Sequence, residues 1–270
     1  MSDVIHYESS GKPHPYHLVR PSPWPMLAAL SAGLLALGTV FMMHDKIWWI
    51  FALGVISLIG VSTMWFRDII KEAFVEKAHT SEVKFGFRYG MLLFIASEVM
   101  FFAAFFWAYF DASLNPTQAI GGVWPPKDIT PIHPFDLPFM MTMILLLSGC
   151  TCTWAHAALL ENNRKDALRA LSLTVLLGII FSFFQGYEYH HASFGFKDTI
   201  YASTFYMATG FHGVHVIIGT IFLIVSLWRT YKNQFTATDH FGFEAAAWYW
   251  HFVDVVWLFL FIAIYWYGYR

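Results

Sequence analysis

The chain has 270 residues, of which 57% are hydrophobic and 20% aromatic, while Lys, Arg, Asp and Glu together make only 13%. A soluble domain carries about 25% charged residues, so the composition excludes a water-soluble globular protein and indicates an all-α integral membrane one. A formal net charge of −2 gives no basic surface for nucleic acid.

The first segment, 1–24, is polar and proline-rich and lacks the charged start and apolar core of a cleavable signal peptide. Seven apolar runs follow, at 25–43, 47–66, 89–110, 139–160, 168–187, 200–228 and 244–267. Each has about the 20 residues a helix needs to cross the hydrocarbon core. Pro25 opens the first run, where proline is harmless, and Trp24 suits the membrane interface. Only His44, Asp45 and Lys46 part the first two runs, which predicts a tight hairpin and a two-helix unit at 25–66. A polar connection, 67–88, then leads into a five-helix bundle, 89–270. Within the bundle, 111–138 holds six prolines and one lysine, an irregular, semi-rigid cap.

Positive charge sets the orientation. Lys12, Arg20, Arg67, Lys71, Lys77, Lys84, Arg88, Arg164, Lys165, Arg229 and Lys232 fall before the first run or in the even-numbered connections, and Arg169 falls at the adjoining start of the fifth run. Only Lys46, Lys127, Lys197 and Arg270 fall on the other side. The N-terminus is therefore expected on the cytoplasmic or matrix side and the C-terminus opposite.

The third run, YGMLLFIASEVMFFAAFFWAYF, carries one charge, Glu98, near its middle. A carboxylate there costs roughly 2.5–3.5 kcal/mol on insertion scales, so it should face protein and find a partner. Two readings stay open: a neutral acid bonded to a neighbouring helix, or a proton carrier or ion ligand. His212 and His215, and His251 and Asp254, are spaced i, i+3 and so share a helical face. Metal or haem ligation would use such imidazoles, but each ring N–H also needs a partner in lipid; these residues, with Glu244, are read as structural polar groups. Glu188 and His191 have the Glu-x-x-His spacing of di-metal bundles, but the motif occurs once where such centres need two. Cys150 and Cys152, two apart on a helix, point in different directions and read as small thiols. Gly86, Gly90, Gly210 and Gly213 are candidates for close helix approach.

Six stretches resemble one family: HPYHLVRPSPWP (14–25), RYGMLLFIASEVMFF (88–102), WPP (124–126), TWAH (153–156), ATGFHGVHVIIGT (208–220) and GFEAAAWYWHFVDVVWLF (242–259). They are similar to the cytochrome c oxidase subunit III family. The resemblance implies a seven-helix, non-redox subunit of the proton-pumping oxidase that reduces oxygen with electrons from cytochrome c. It implies that the two-helix unit and the five-helix bundle splay into a V-shaped cleft holding structural phospholipids. Haem and copper would belong to partner subunits I and II, with direct contact to subunit I and no metal or catalytic residue here. By position, Glu98 resembles the family's buried carboxyl, and Arg67, Glu72, His79, Arg229 and Lys232 resemble lipid head-group residues. His14 and His17 resemble N-terminal histidines that collect protons. The membrane would be the mitochondrial inner membrane or a bacterial plasma membrane. Two departures are present: Ala157 follows His156 where members often have a second histidine, and Trp65-Phe66 stands where many have two tryptophans. Alternatives are a free-standing ion or proton transporter built around Glu98, a di-metal enzyme, and the related quinol oxidase subunit III, which has only the last five helices.

Overall fold

Long apolar stretches satisfy their backbone N–H and C=O groups in lipid by coiling, and seven of them do so here. The computed structural model describes residues 6–7 and 13–269. Its helices are α1 (Trp24–Asp45), α2 (Trp48–Phe74), α3 (Ser81–Leu114), α4 (Leu137–Leu160), α5 (Arg164–His191), α6 (Ile200–Tyr231) and α7 (Phe241–Leu260). A π-helical segment, Phe261–Trp266, extends α7. All seven are long and apolar enough to cross a membrane. The other regular elements are a two-residue antiparallel pair, His6–Tyr7 with Pro13–His14, and two short 3₁₀ turns.

The polar stretch 67–88 is mostly helix rather than a separate connection. Nothing in RDIIKEAF (67–74) or SEVKFGFR (81–88) stops a helix except Gly86, so α2 and α3 run past the apolar limits and only 75–80 link them. Left-handed residues make the turns: Lys46 after α1, Lys77 after α2, Asn162 after α4 and Asn233 after α6. Asparagine tolerates that conformation better than most side chains. At Lys77 the chain doubles back, and Ala78 N–H donates to Glu72 O at 3.1 Å.

The chain divides into two compact units, residues 1–87 and 88–270. In the first, α1 and α2 cross at glycines. A Cβ on Gly38 would lie 2.6 Å from the backbone of Phe51, and one on Gly54 would lie 2.6 Å from that of Leu35. Such contact is how helices gain dispersion energy where lipid gives no hydrophobic drive. The indole N–H of Trp24 donates to Asp68 Oδ2 at 2.6 Å, tying the start of α1 to α2. Thr80 Oγ1 donates to Pro15 O at 2.6 Å, holding the N-terminal segment against the α2–α3 link.

The second unit has its core among α4–α7, with α7 most enclosed. Trp250 and Trp257, one heptad apart on α7, donate their indole N–H groups to Ser148 Oγ (3.0 Å) and Thr142 Oγ1 (2.9 Å) of α4. The Trp250 ring passes between Gly178 of α5 and Gly219 of α6, where a Cβ would meet it at 2.8 and 2.9 Å. These glycines, not Gly86 and Gly90, are the approach points. A Cβ on either of the latter would enter open space.

Candidate functional site: polar groups inside the spans

Glu98 sits on α3, and its side chain is 19% exposed within the chain. Its Oε2 lies 3.0 Å from Nε2 of His215 on α6. The His215 ring is fixed from the other side, where Nδ1 lies 2.6 Å from Phe211 O. A carbonyl can only accept, so Nδ1 carries a proton. Nε2 and Oε2 then share one further proton, either as imidazolium donating to carboxylate or as carboxylic acid donating to neutral imidazole. Both forms are neutral as a pair, which is what a low-dielectric site requires. Phe102 meets the imidazole edge-on at 5.0 Å and Tyr249 stacks at 6.2 Å, so the pair lies in an aromatic setting.

The i, i+3 histidines of α6 diverge in partner. His212, fully buried, donates from Nε2 to Val253 O of α7 at 3.1 Å and packs against Phe181 and Trp257. Its Nδ1 has no hydrogen-bond partner among the described residues. On α4, Thr153 gives its hydroxyl proton to Gly149 O at 3.1 Å and so accepts from Nε2 of His251 on α7 at 3.3 Å. Asp254 is buried, and a Cβ on Gly149 would stand 2.6 Å from its Oδ2, so that glycine makes room for the carboxyl against α4. Its Oδ1 is unpartnered among the described residues. Glu244, in the first turn of α7, takes the Arg88 guanidinium in a forked pair, with Nη2 donating to Oε2 at 2.9 Å and Nε to Oε1 at 3.2 Å. That fork is the strong geometry for arginine and carboxylate.

Glu188 is a buried carboxyl that the Glu-x-x-His spacing raised in another role. Tyr265 Oη donates to its Oε1 at 2.6 Å and Gln185 Nε2 at 3.1 Å. His191, in contrast, turns Nδ1 to Tyr187 O at 2.9 Å and stacks on the Tyr187 ring at 4.0 Å. The two residues of that motif therefore do not converge. Only the π segment after α7 delivers Tyr265 to Glu188, a pairing between residues 77 apart that no local pattern encodes. Cys150 is exposed, Cys152 buried, and both are free.

The expected lipid-contact residues form two groups. Arg229, half-buried at the end of α6, donates from Nε to Gln234 Oε1 at 3.2 Å and lies 4.2 Å over the Phe235 ring. Lys232 follows it and lies 5.9 Å from the Tyr231 ring. In the first unit, Arg67 is exposed, while Glu72 and His79 come together with His17. The side chain of His14 lies outside the described residues.

Comparison with known proteins settles the lineage. The family model described as Cytochrome c oxidase subunit III matches residues 14–269. This chain belongs to the cytochrome c oxidase subunit III family. Relatives named "Cytochrome c oxidase subunit 3" are 53% identical in Osphranter robustus, 54% in Rattus norvegicus and 51% in Pelomedusa subrufa. Each match spans 255 residues, 94% of this chain and 98% of the relative. For a subunit III family member, the helices and the family together make the chain an integral membrane protein of the respiratory chain.

Proposed function

We propose that this chain is a non-redox accessory subunit of proton-pumping cytochrome c oxidase. It packs on the catalytic subunit I, holds phospholipid, and supports proton uptake and sustained turnover there; haem and copper reside in the partner subunits. The observation that carries this reading is how the embedded polar groups are used. His212 bonds to Val253 O, His215 to Glu98, His251 to Thr153 and Glu188 to Tyr265, so each of these side chains already joins one helical segment to another.

Two further observations support an assembled role. The spanning windows of α1, α2 and α3 are only 11%, 6% and 6% buried within the chain, leaving apolar faces that suit lipid or partner helices. Arg67, Arg229 and Lys232 supply cations for anionic head groups. The N-terminus lies on the cytoplasmic or matrix side, by the charge asymmetry, which sets His14 and His17 on the face where protons enter. The experiment is removal of this subunit from the purified oxidase. Haem content and initial turnover should persist while proton uptake slows and activity decays early. Loss of haem on removal would contradict the reading.

A further inference from the structure

We infer that Glu188 is a proton-binding site buried in the second unit, held as a neutral carboxylic acid that closes a ring of two hydrogen bonds with Gln185. The partners of its two oxygens are unequal. Oε1 takes two donors, Tyr265 Oη at 2.6 Å and Gln185 Nε2 at 3.1 Å. Oε2 is buried yet takes none among the described residues, and Gln185 Oε1 is buried and unpartnered as well. A carbonyl oxygen accepts two bonds with its two lone pairs, whereas the hydroxyl oxygen of an acid has a proton to give. Oε1 is thus filled as a carbonyl is filled. One proton on Oε2 supplies both orphaned atoms, with Oε2 as donor and Gln185 Oε1 as acceptor. An amide and a carboxylic acid each carry a donor beside an acceptor on one planar edge, so the bond from Gln185 N–H to Oε1 and the bond from Oε2–H to Gln185 Oε1 form as a pair.

The surroundings give an ionised carboxylate nothing to balance its charge. Glu188 and Gln185 are 3% and 4% exposed. Among the described residues no Lys, Arg or His forms an ion pair with Glu188. The titratable groups that interact with it are the phenols of Tyr189, Tyr201, Tyr206 and Tyr265, which are neutral at ordinary pH. A buried charge without a counter-charge costs so much that the group takes up a proton instead. Glu98 differs, because His215 stands beside it to share the proton. The fold also commits an unusual element to this place. The π-helical segment Phe261–Trp266 carries Tyr265 to Oε1, and π-helical turns are rare and concentrate at functional positions. Phe205 meets the Tyr265 ring edge-on at 5.5 Å and Trp257 packs on it at 5.7 Å, which fixes the direction of the phenol. Loss of the proton would leave the orphaned oxygens of Glu188 and Gln185 without a donor between them, so the acid is the form that holds the end of α7 against α5. All these residues lie in the second unit, and the site stands independently of the accessory-subunit reading.

The test is infrared absorption of the intact oxidase complex containing this chain, at neutral pH. Glu188→Gln puts an amide N–H where the acid O–H stood, so the ring with Gln185 persists while the acid is gone. The spectrum of the unaltered complex minus that of Glu188→Gln should contain the carbonyl stretch of one protonated carboxyl. Tyr265→Phe removes the phenol that donates to Oε1, and should move that stretch to higher wavenumber without abolishing it. Loss of the paired carboxylate stretches in Glu188→Gln, in place of the carbonyl stretch, overturns the proposal. That result would mean an ionised Glu188 whose Oε2 is served by a buried water. An acid band that Tyr265→Phe leaves unmoved overturns it too. Should Glu188→Gln fail to assemble, the shift in Tyr265→Phe decides. Should neither assemble, neutron diffraction from crystals of the unaltered complex decides: a hydrogen on Oε2 directed at Gln185 Oε1 is expected, and a bare Oε2 overturns the site.

Discussion

The single proton shared between His215 Nε2 and Glu98 Oε2 follows from one contact, the Nδ1–H that Phe211 O must accept. It makes Glu98→Gln and Glu98→Ala different experiments. Gln can donate an amide N–H to the Nε2 lone pair, whereas Ala leaves that nitrogen without a partner, a loss of roughly 1–3 kcal/mol for a buried polar group. We expect a lower thermal midpoint for Glu98→Ala than for Glu98→Gln, with haem content of the complex unchanged in both. Equal midpoints would show that the hydrogen bond contributes nothing. The Arg88–Glu244 pair is more exposed, with Arg88 at 46%. Replacing either by Ala should cost only about 0–1 kcal/mol, and a larger drop in denaturation midpoint would place that fork deeper in the energetics than its exposure allows.

At the scale of elements, the seven helices and their order were legible because apolar length alone dictates them. The ends of α2 and α3 were not. Polar residues such as Arg67, Lys71 and Glu72 are good helix formers outside lipid, so composition changes there while the backbone does not. The pairing of Glu98 was legible only as a need for some partner; that the partner is His215, and not His212 on the same helical face, depends on which helix each ring meets. The approach glycines were likewise hidden, since Gly86 and Gly90 look like Gly38 and Gly54 in sequence while only the latter two meet a backbone at 2.6 Å. Gly54→Ala should therefore force α1 and α2 apart, at a cost of about 1–3 kcal/mol for overpacking, and Gly90→Ala should not. Unfolding of the two variants in detergent compares them directly, and equal midpoints would remove the close crossing from the account. On α7, Trp257→Phe deletes the indole N–H that Thr142 accepts, and we expect a loss of about 1 kcal/mol, read as a lower melting temperature. No change would mean that ring packing alone holds α7 to α4.

For the whole molecule, the family supplies what helix geometry cannot: that the chain works inside an oxidase. That it does so without a redox centre of its own is our proposal, supported by the helix-joining bonds of His215 to Glu98, His212 to Val253 O, His251 to Thr153 and Glu188 to Tyr265. Under the proposed function, lipid and neighbouring subunits cover the exposed apolar faces of α1, α2 and α3. Replacing Arg229 and Lys232 together with Ala should deplete co-purifying phospholipid and shorten the active life of the complex. Unchanged lipid content and lifetime would remove these two cations from lipid binding. The most direct test of the central claim is the visible absorption spectrum of this chain purified in mild detergent, free of its partner subunits. The account requires no Soret band and no copper absorption. A Soret band that disappears on replacing His212 or His215 would contradict it.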